Sequence, residues 1–361
     1  MKYPGSLHNH SDFSNFRLRD SINTIESLID RAVEIGHEVI AITEHDTIAS
    51  SIRAEKYYNK IKEKNPDFKV ILGNEIYLCR NGLNSDNFKV GKDKYYHFIL
   101  LAKDTIGHQQ IREISTRAWM RSYMARGMRR VPTYYQDLID IIGQNPGHVI
   151  GSTACIGGAL GTQLLIHKET EDNVLYHKIV LWVNQMKEIF GKENFFLEMQ
   201  PSHNKDQIYV NEEIIHLSEI CDVSYIVTND SHYLIKEDLP IHEAFLNAQG
   251  GDREVKSFYA TTYLMNDDEV REYMIHSDGV INEEILQKSY QNIVKIKDMC
   301  EDYSIMKPLK IPQLAWKKAW NNSPPESLID SIPYYKKFLE SDYEGDKELI
   351  YHITDSIYND K

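Results

Sequence analysis

The chain has 361 residues and 42% hydrophobic side chains, enough to bury a substantial core as one large domain with an appendage or as two ordinary domains. A formal charge of −13 excludes general attraction to a polyanion, so contact with nucleic acid would need a local basic patch or bound cations. The cysteines Cys79, Cys155, Cys221 and Cys300 form no CxxC pair, which argues against a disulfide framework or zinc ribbon. The start is polar and His-rich, and no apolar run reaches the ~18 residues of a membrane span, so a cytoplasmic protein without membrane contact is expected.

The chain opens with Leu7-His8-Asn9-His10-Ser11. Two histidines at spacing two on an extended segment point to the same side, where both can face one metal, although such a pair is often incidental. A helix is predicted from Asn23, as the cap, through Ile25, Leu28, Ile29, Ala32 and Val33 to Gly36. Short apolar runs at Glu38–Thr43, Lys69–Leu72, Phe98–Ala102, Val149–Gly151, Phe195–Leu197 and Ser224–Thr228 suit buried strands. Further helices are predicted over Val174–Phe190 and Asn211–Cys221. This alternation predicts a parallel α/β fold. A barrel is favoured over an open sheet because no glycine-rich nucleotide loop follows the first strand.

Ligand-type residues recur just past the strands. His45 follows Val39-Ile40-Ala41-Ile42, Glu75 follows Val70-Ile71-Leu72, Cys155 lies four residues after Gly151, and Asp230 and His232 follow Ile226-Val227-Thr228. In a parallel barrel the C-terminal strand ends form one rim, so these residues would converge there. A buried core histidine explains any one of them, but packing explains the set poorly. His97 departs from the pattern, standing at the start of its apolar run.

Between Arg112 and Arg130 lie Arg112, Arg117, Arg121, Arg126, Arg129 and Arg130 against one acid, Glu113, with Trp119 and Tyr123 interleaved. Arg117, Arg121, Arg126, Arg129 and Arg130 are the candidate nucleic-acid contacts, while a solvated helix face would produce the same pattern. From Lys307 the character changes, with Pro308, Pro312, Pro324, Pro325 and Pro333 close together. A boundary is expected here, between a domain of residues 1–305 and a docking element or tail of residues 306–361, with a short helix over Pro333–Leu339.

The stretches LHNHSDFS, RLRDSI, AITEHD, ILGNEIYL, YYHFILLAK, GSTACIGG, FFLEMQ and VTNDSHYL together resemble the motifs of the PHP (polymerase and histidinol phosphatase) family. They are most similar to the version at the N-terminus of the bacterial DNA polymerase III alpha subunit, over about residues 5–305. The resemblance implies a distorted seven-stranded (β/α) barrel with up to three metal ions. It implies that His8, His10 and Asp230 join Glu75 at one metal, that Glu75 bridges to a second held by His97 and Cys155, and that Asp20, His45 and His232 hold a third. Two departures stand out. Glu44 replaces the frequent Asp before His45, and three extra residues between His10 and Asp20 leave Asp12 as an alternative ligand.

Two or three divalent ions are therefore expected, with zinc, manganese or iron suiting imidazole and carboxylate ligands and a Cys155 thiolate leaning toward zinc. Glu75, His10 and Asp230 are the candidate catalytic residues. Metal-activated hydroxide would attack phosphorus without a protein nucleophile. The polymerase-like motifs favour a 3′–5′ exonuclease acting on single-stranded DNA. A non-catalytic or proofreading component of a split polymerase, docked on a separately encoded chain, and a histidinol-phosphatase-type monoesterase are the alternatives. The chain is not expected to polymerise alone.

Overall fold

The computed structural model describes residues 1–16, 19–79, 95–125, 127–248, 259–277, 279–308, 330 and 333–359. Residues 1–306 form one unit, built on strands β1 (Val39–Ile42), β2 (Lys69–Cys79), β3 (Tyr95–Ala102), β4 (Tyr123–Ala125), β5 (Met128–Arg130), β6 (Pro132–Thr133), β7 (Val149–Ser152), β8 (Phe195–Met199) and β9 (Ser224–Val227). The main sheet runs β1-β2-β3-β7-β8-β9, with β6 beside β2.

That order alone would leave β1 and β9 as bare edges, and the first residues of the chain fill the gap. Val39, Ala41 and Thr43 donate their amides to the carbonyls of Pro4, Ser6 and Asn9, while His10 donates to Ser231 and Ser231 donates to His8. Asn9 bridges Ser231 in parallel. The opening segment is thus a seventh stave that closes a distorted α/β barrel by pairing with β1 on one side and the end of β9 on the other. Gly5, at φ +142°, permits this, because a Cβ there would lie 1.8 Å from the Val39 carbonyl oxygen.

The strands were legible because they are covered on both faces. Along β1, Val39 and Ala41 join the barrel core with Leu7, Ile71 and Leu101. Ile40 and Ile42 instead pack outward against Ile25, Leu28 and Ile29 of helix α1 (Ile25–Glu34) and Ala54 and Tyr58 of helix α2 (Ser51–Ile61). A strand buried on both sides has no polar alternation to display.

Three expectations change. The sheet is not wholly parallel: β3 runs antiparallel to both β2 and β7. Helix α1 is capped by Thr24, which exchanges hydrogen bonds with Ser27, whereas the Asn23 amide donates to the His10 carbonyl. The arginine-rich stretch is not one helix: helix α3 (Thr105–Met120) ends and the β4–β5 hairpin follows. Residues 307–361 form a second unit containing helices Pro333–Leu339 and Glu344–Asn359.

Candidate metal centre

All nine residues singled out above lie at one mouth of the barrel. His8 and His10 come from the closing stave, Asp20 from the loop before α1, His45 from the turn after β1 and Glu75 from within β2. Cys155 follows β7, and Asp230 and His232 follow β9. His97 now makes sense, because β3 is reversed and its first residues reach the mouth that β1, β7 and β9 reach past their last, while Glu75, expected just past its strand, lies in the middle of the longer β2. Gly158 supports it: it bridges His97, and a Cβ there would come within 2.3 Å of the Thr153 carbonyl oxygen.

Glu75 is central. Its Oε1 lies 2.8 Å from His97 Nδ1 and 3.4 Å from His8 Nε2, and its Oε2 lies 2.5 Å from His45 Nδ1 and 3.3 Å from His10 Nε2. Asp230 Oδ1 is 3.2 Å from both His8 Nε2 and His10 Nε2. Asp20 Oδ2 lies 2.8 Å from His45 Nε2 and 2.9 Å from His232 Nε2, whereas Asp12 is exposed. Three groups bring their ligand atoms within 4.8 Å of one another: His8, His10 and Asp230; His45, Glu75 and His97; and His10, His45 and His232. Cys155 joins none of these groups, but its Sγ lies 3.4 Å from His97 Nδ1.

This arrangement fits cations better than internal hydrogen bonds. Among the described residues both Glu75 oxygens and His45 Nδ1 are buried without a hydrogen-bond partner, although nitrogen and oxygen stand close together, so the neighbouring N–H groups are not aimed at the carboxylate. His8 Nε2 and His10 Nε2 face each other at 3.1 Å, where only one can donate. Such convergence of buried lone pairs is what a metal ion would satisfy.

The electrostatics agree. Burial opposes charge on His8 and His45, but Asp230, Glu198 and Glu75 around His8, and Glu75 and Asp20 around His45, raise both well above the usual imidazole range. His232 is raised likewise, by Asp20 and Asp230 against burial. Burial works against the charged carboxylates of Glu75 and Asp20, yet facing histidines hold both well below the ordinary range. Burial and the carboxylates Asp230 and Glu75 push the Cys155 thiol up, so only a cation nearby would favour its thiolate. Asp46, Ala154 and Asp230 take left-handed backbone at φ 53°, 58° and 51°. Two of these adjoin His45 and Cys155 and the third is itself a candidate ligand, so local backbone strain gathers at the mouth.

A supporting layer was not identified from sequence. Glu198 on β8 lies 2.7 Å from His8 Nδ1 and accepts from Ser152 and Thr228, which turns His8 Nε2 inward. Glu44 accepts from the Ser11 amide and from the hydroxyls of Ser11 and Ser14, and Ser14 Oγ lies 3.0 Å from His10 Nδ1. Its longer arm bridges the two serines. The signal for Glu198 was present in FFLEMQ, where an acid interrupts a buried apolar run at a cost that packing does not repay.

The arginines divide. Arg121 makes a two-pronged pair with Asp137 and lies 4.3 Å over the Tyr134 ring, and Arg117 pairs with Glu113 at 2.7 Å and Asp140 at 3.5 Å. These two serve the fold around α3. Arg126 lies outside the described residues. Arg129 is exposed on the hairpin, and Arg130 lies 5.9 Å from the Tyr95 ring centroid, two residues before His97.

The chain is 37% identical to a DNA-directed DNA polymerase of Bacillus phage SPbeta over 96% of its own length and 27% of that protein. It is 27% identical to the DNA polymerase III subunit alpha of Borreliella burgdorferi over 84% of its own length and 24% of that protein. It therefore spans about a quarter of the length of these relatives. An amidohydrolase structure from Chromobacterium violaceum aligns at a TM-score of 0.37 and 14% identity, over 63% of this chain and 87% of that one. The PHP domain family matches residues 6–202, more than half of the sequence and the part that supplies the closing stave and seven of the nine clustered residues, so the chain belongs to the PHP family.

Proposed function

We propose that the chain is a metal-dependent phosphoesterase that removes nucleotides from the 3′ end of single-stranded DNA in the cytoplasm, with residues 1–305 as the catalytic part. The observation that supports this reading is the position of the arginine hairpin beside the accessible side of the candidate centre. His97, its side chain 24% exposed, is the most open of the nine residues, and the Tyr77 ring lies 4.6 Å from it. Tyr95, two residues earlier on β3, meets the Tyr123 hydroxyl of the hairpin and lies under Arg130. Trp119 donates its indole N–H to the Asp46 carbonyl at 2.8 Å, tying the end of α3 to the His45 turn.

His8, His10, Asp20, His45, Glu75, His97, Cys155, Asp230 and His232 would hold two or three ions of zinc, manganese or iron. Such ions supply Lewis-acid charge to a phosphoryl oxygen and acidify water near neutral pH. Among the nine residues Glu75, His10 and Asp230 would fix the geometry of the reaction, His10 belonging to two of the three groups and lying 3.3 Å from Glu75 and 3.2 Å from Asp230. Arg129 and Arg130 offer phosphate contacts, and the aromatic rings offer base-stacking faces, as in sequence-tolerant single-strand binding.

Each phosphate neutralised on a single strand contributes about −0.7 to the logarithmic salt dependence of affinity. Arg129→Ala/Arg130→Ala should therefore bind single-stranded DNA more weakly, with a slope shallower by up to about 1.4. It should lose more activity on DNA than on bis-p-nitrophenyl phosphate. An unchanged slope returns the arginines to surface solvation, and hydrolysis of small monoesters with no action on DNA moves the function to a phosphatase. A second reading is favoured by the names of the relatives: a proofreading or structural module that works with a polymerase, with residues 306–361 as the docking element. Inactivity on every ester under zinc and manganese would favour it.

A further inference from the structure

A cavity of about 190 Å³ opens beside the candidate centre, among the loops that carry its residues. Ile156, Gln200, Ser202, Gln207, Asn229 and Thr262 contribute to its wall. Ile156 follows Cys155 and Asn229 precedes Asp230. The Gln200 amide donates to Glu198, the partner of His8, and the Thr262 carbonyl accepts from the His232 amide at 2.7 Å. A ligand in this cavity would therefore lie next to the groups that face the metals.

The wall chemistry narrows the ligand. Among the described residues no lysine or arginine lines it, so none of them offers a side-chain cation to a phosphate there. The one carboxylate among the described residues of the wall, Asp206, is paired with Lys168 at 2.8 Å. What remains is neutral amide and hydroxyl groups with apolar contact from Ile156 and Pro201, the mixture that recognises an uncharged, hydrogen-bonding molecule. Asn229, 2% exposed, accepts from the Met265 amide through Oδ1 but leaves its Nδ2 donor without a partner among the described residues. A buried amide donor left open is costly unless a ligand or water takes it.

We propose that this cavity holds the nucleoside of the terminal nucleotide while its phosphate faces the metal-binding residues. The idea rests on the nucleic-acid reading above. The amide and hydroxyl groups of Gln200, Gln207 and Thr262 then offer hydrogen bonds to the base and the sugar.

The test is calorimetric titration of the manganese-loaded full chain with thymidine 5′-monophosphate, thymidine and inorganic phosphate. The monophosphate should bind at least tenfold more tightly than inorganic phosphate, and thymidine, which has no phosphate for the metals, should compete with it. Thr261→Trp, which places a large ring at the cavity wall, should lower affinity for the monophosphate far more than for inorganic phosphate. Absence of thymidine competition in the unaltered chain overturns the proposal whether or not the variant folds. If thymidine competes but no nucleic acid is hydrolysed, the cavity assignment stands and the exonuclease reading falls. If DNA is hydrolysed while thymidine does not compete and Thr261→Trp binds the monophosphate normally, the reverse holds.

Discussion

His8 in the barrel mouth and His37 at the foot of β1 are both closed off from solvent, at 0% and 5% exposure. Around His37 lie the Tyr3 ring, edge-on at 5.2 Å, and the Met265 carbonyl, and burial pushes its pKa down to about 4. Around His8 lie Asp230, Glu198 and Glu75, which overcome the same burial and raise it well above the usual range. Burial alone keeps a histidine neutral and fit for packing. The mouth differs because it gathers carboxylates and imidazoles that their own hydrogen bonds leave partly unsatisfied among the described residues, and that surplus of lone pairs could hold a cation.

The strongest way to break the contrast is Glu75→Ala. The change removes the carboxylate that approaches His8, His10, His45 and His97. Outer partners of metal ligands are worth about 10- to 100-fold in affinity or activity, so losing a carboxylate that approaches four histidines directly should cost more than about 100-fold in turnover. Bound metal measured by elemental analysis should fall with it. Near-normal turnover at full metal content would end the assignment of Glu75.

Glu198→Gln sharpens the same point at one remove. A neutral amide can still meet His8 Nδ1 but no longer favours the tautomer that presents Nε2 inward, so metal affinity by competition with a chelator should fall about 10- to 100-fold. Unchanged affinity would reduce Glu198 to a core hydrogen-bonding group for Ser152 and Thr228.

The effect at the foot of the barrel falls on stability and leaves metal binding untouched. The folded pKa of His37, about 4, lies below the ordinary imidazole value of about 6.5, so the neutral form is the one the fold favours. Its contribution is fully present above the unfolded value and is lost as pH falls toward 4, at a cost of up to about 3 kcal/mol. His37→Gln can keep the bond to Met265 and has no proton to gain. Its melting temperature should fall less between pH 7 and pH 4.5 than that of the unaltered chain, and parallel losses would show that acid sensitivity arises elsewhere.

The sequence was informative wherever one residue type had to answer to one environment. Val39-Ile40-Ala41-Ile42 could only be a strand covered on both sides, and ligand-type residues after such runs stood out because packing has no use for them. Direction was not legible: nothing in Tyr95–Ala102 says that β3 runs backward, since pairing sense is set by tertiary neighbours, and His97 therefore looked misplaced. Glu198 was missed because its role lies in contacts with Ser152, Thr228 and His8, residues far away along the chain. Arg121 looked like a free cation because its partner, Asp137, arrives only through folding.

The seventh stave has a consequence for how this molecule assembles. Asn9 meets Ser231 across 222 residues, and the same stave carries His8 and His10. Contacts this far apart in sequence are slow to form, because the intervening chain must be ordered before they can be rewarded. Metal loading and barrel closure should therefore be a single late event. Ions captured by the mouth would act as a latch on the N-terminal strand, and hydrogen exchange at the amides of His10 and Ser231 should slow when metal is added, before any change at Ile40 or Leu100.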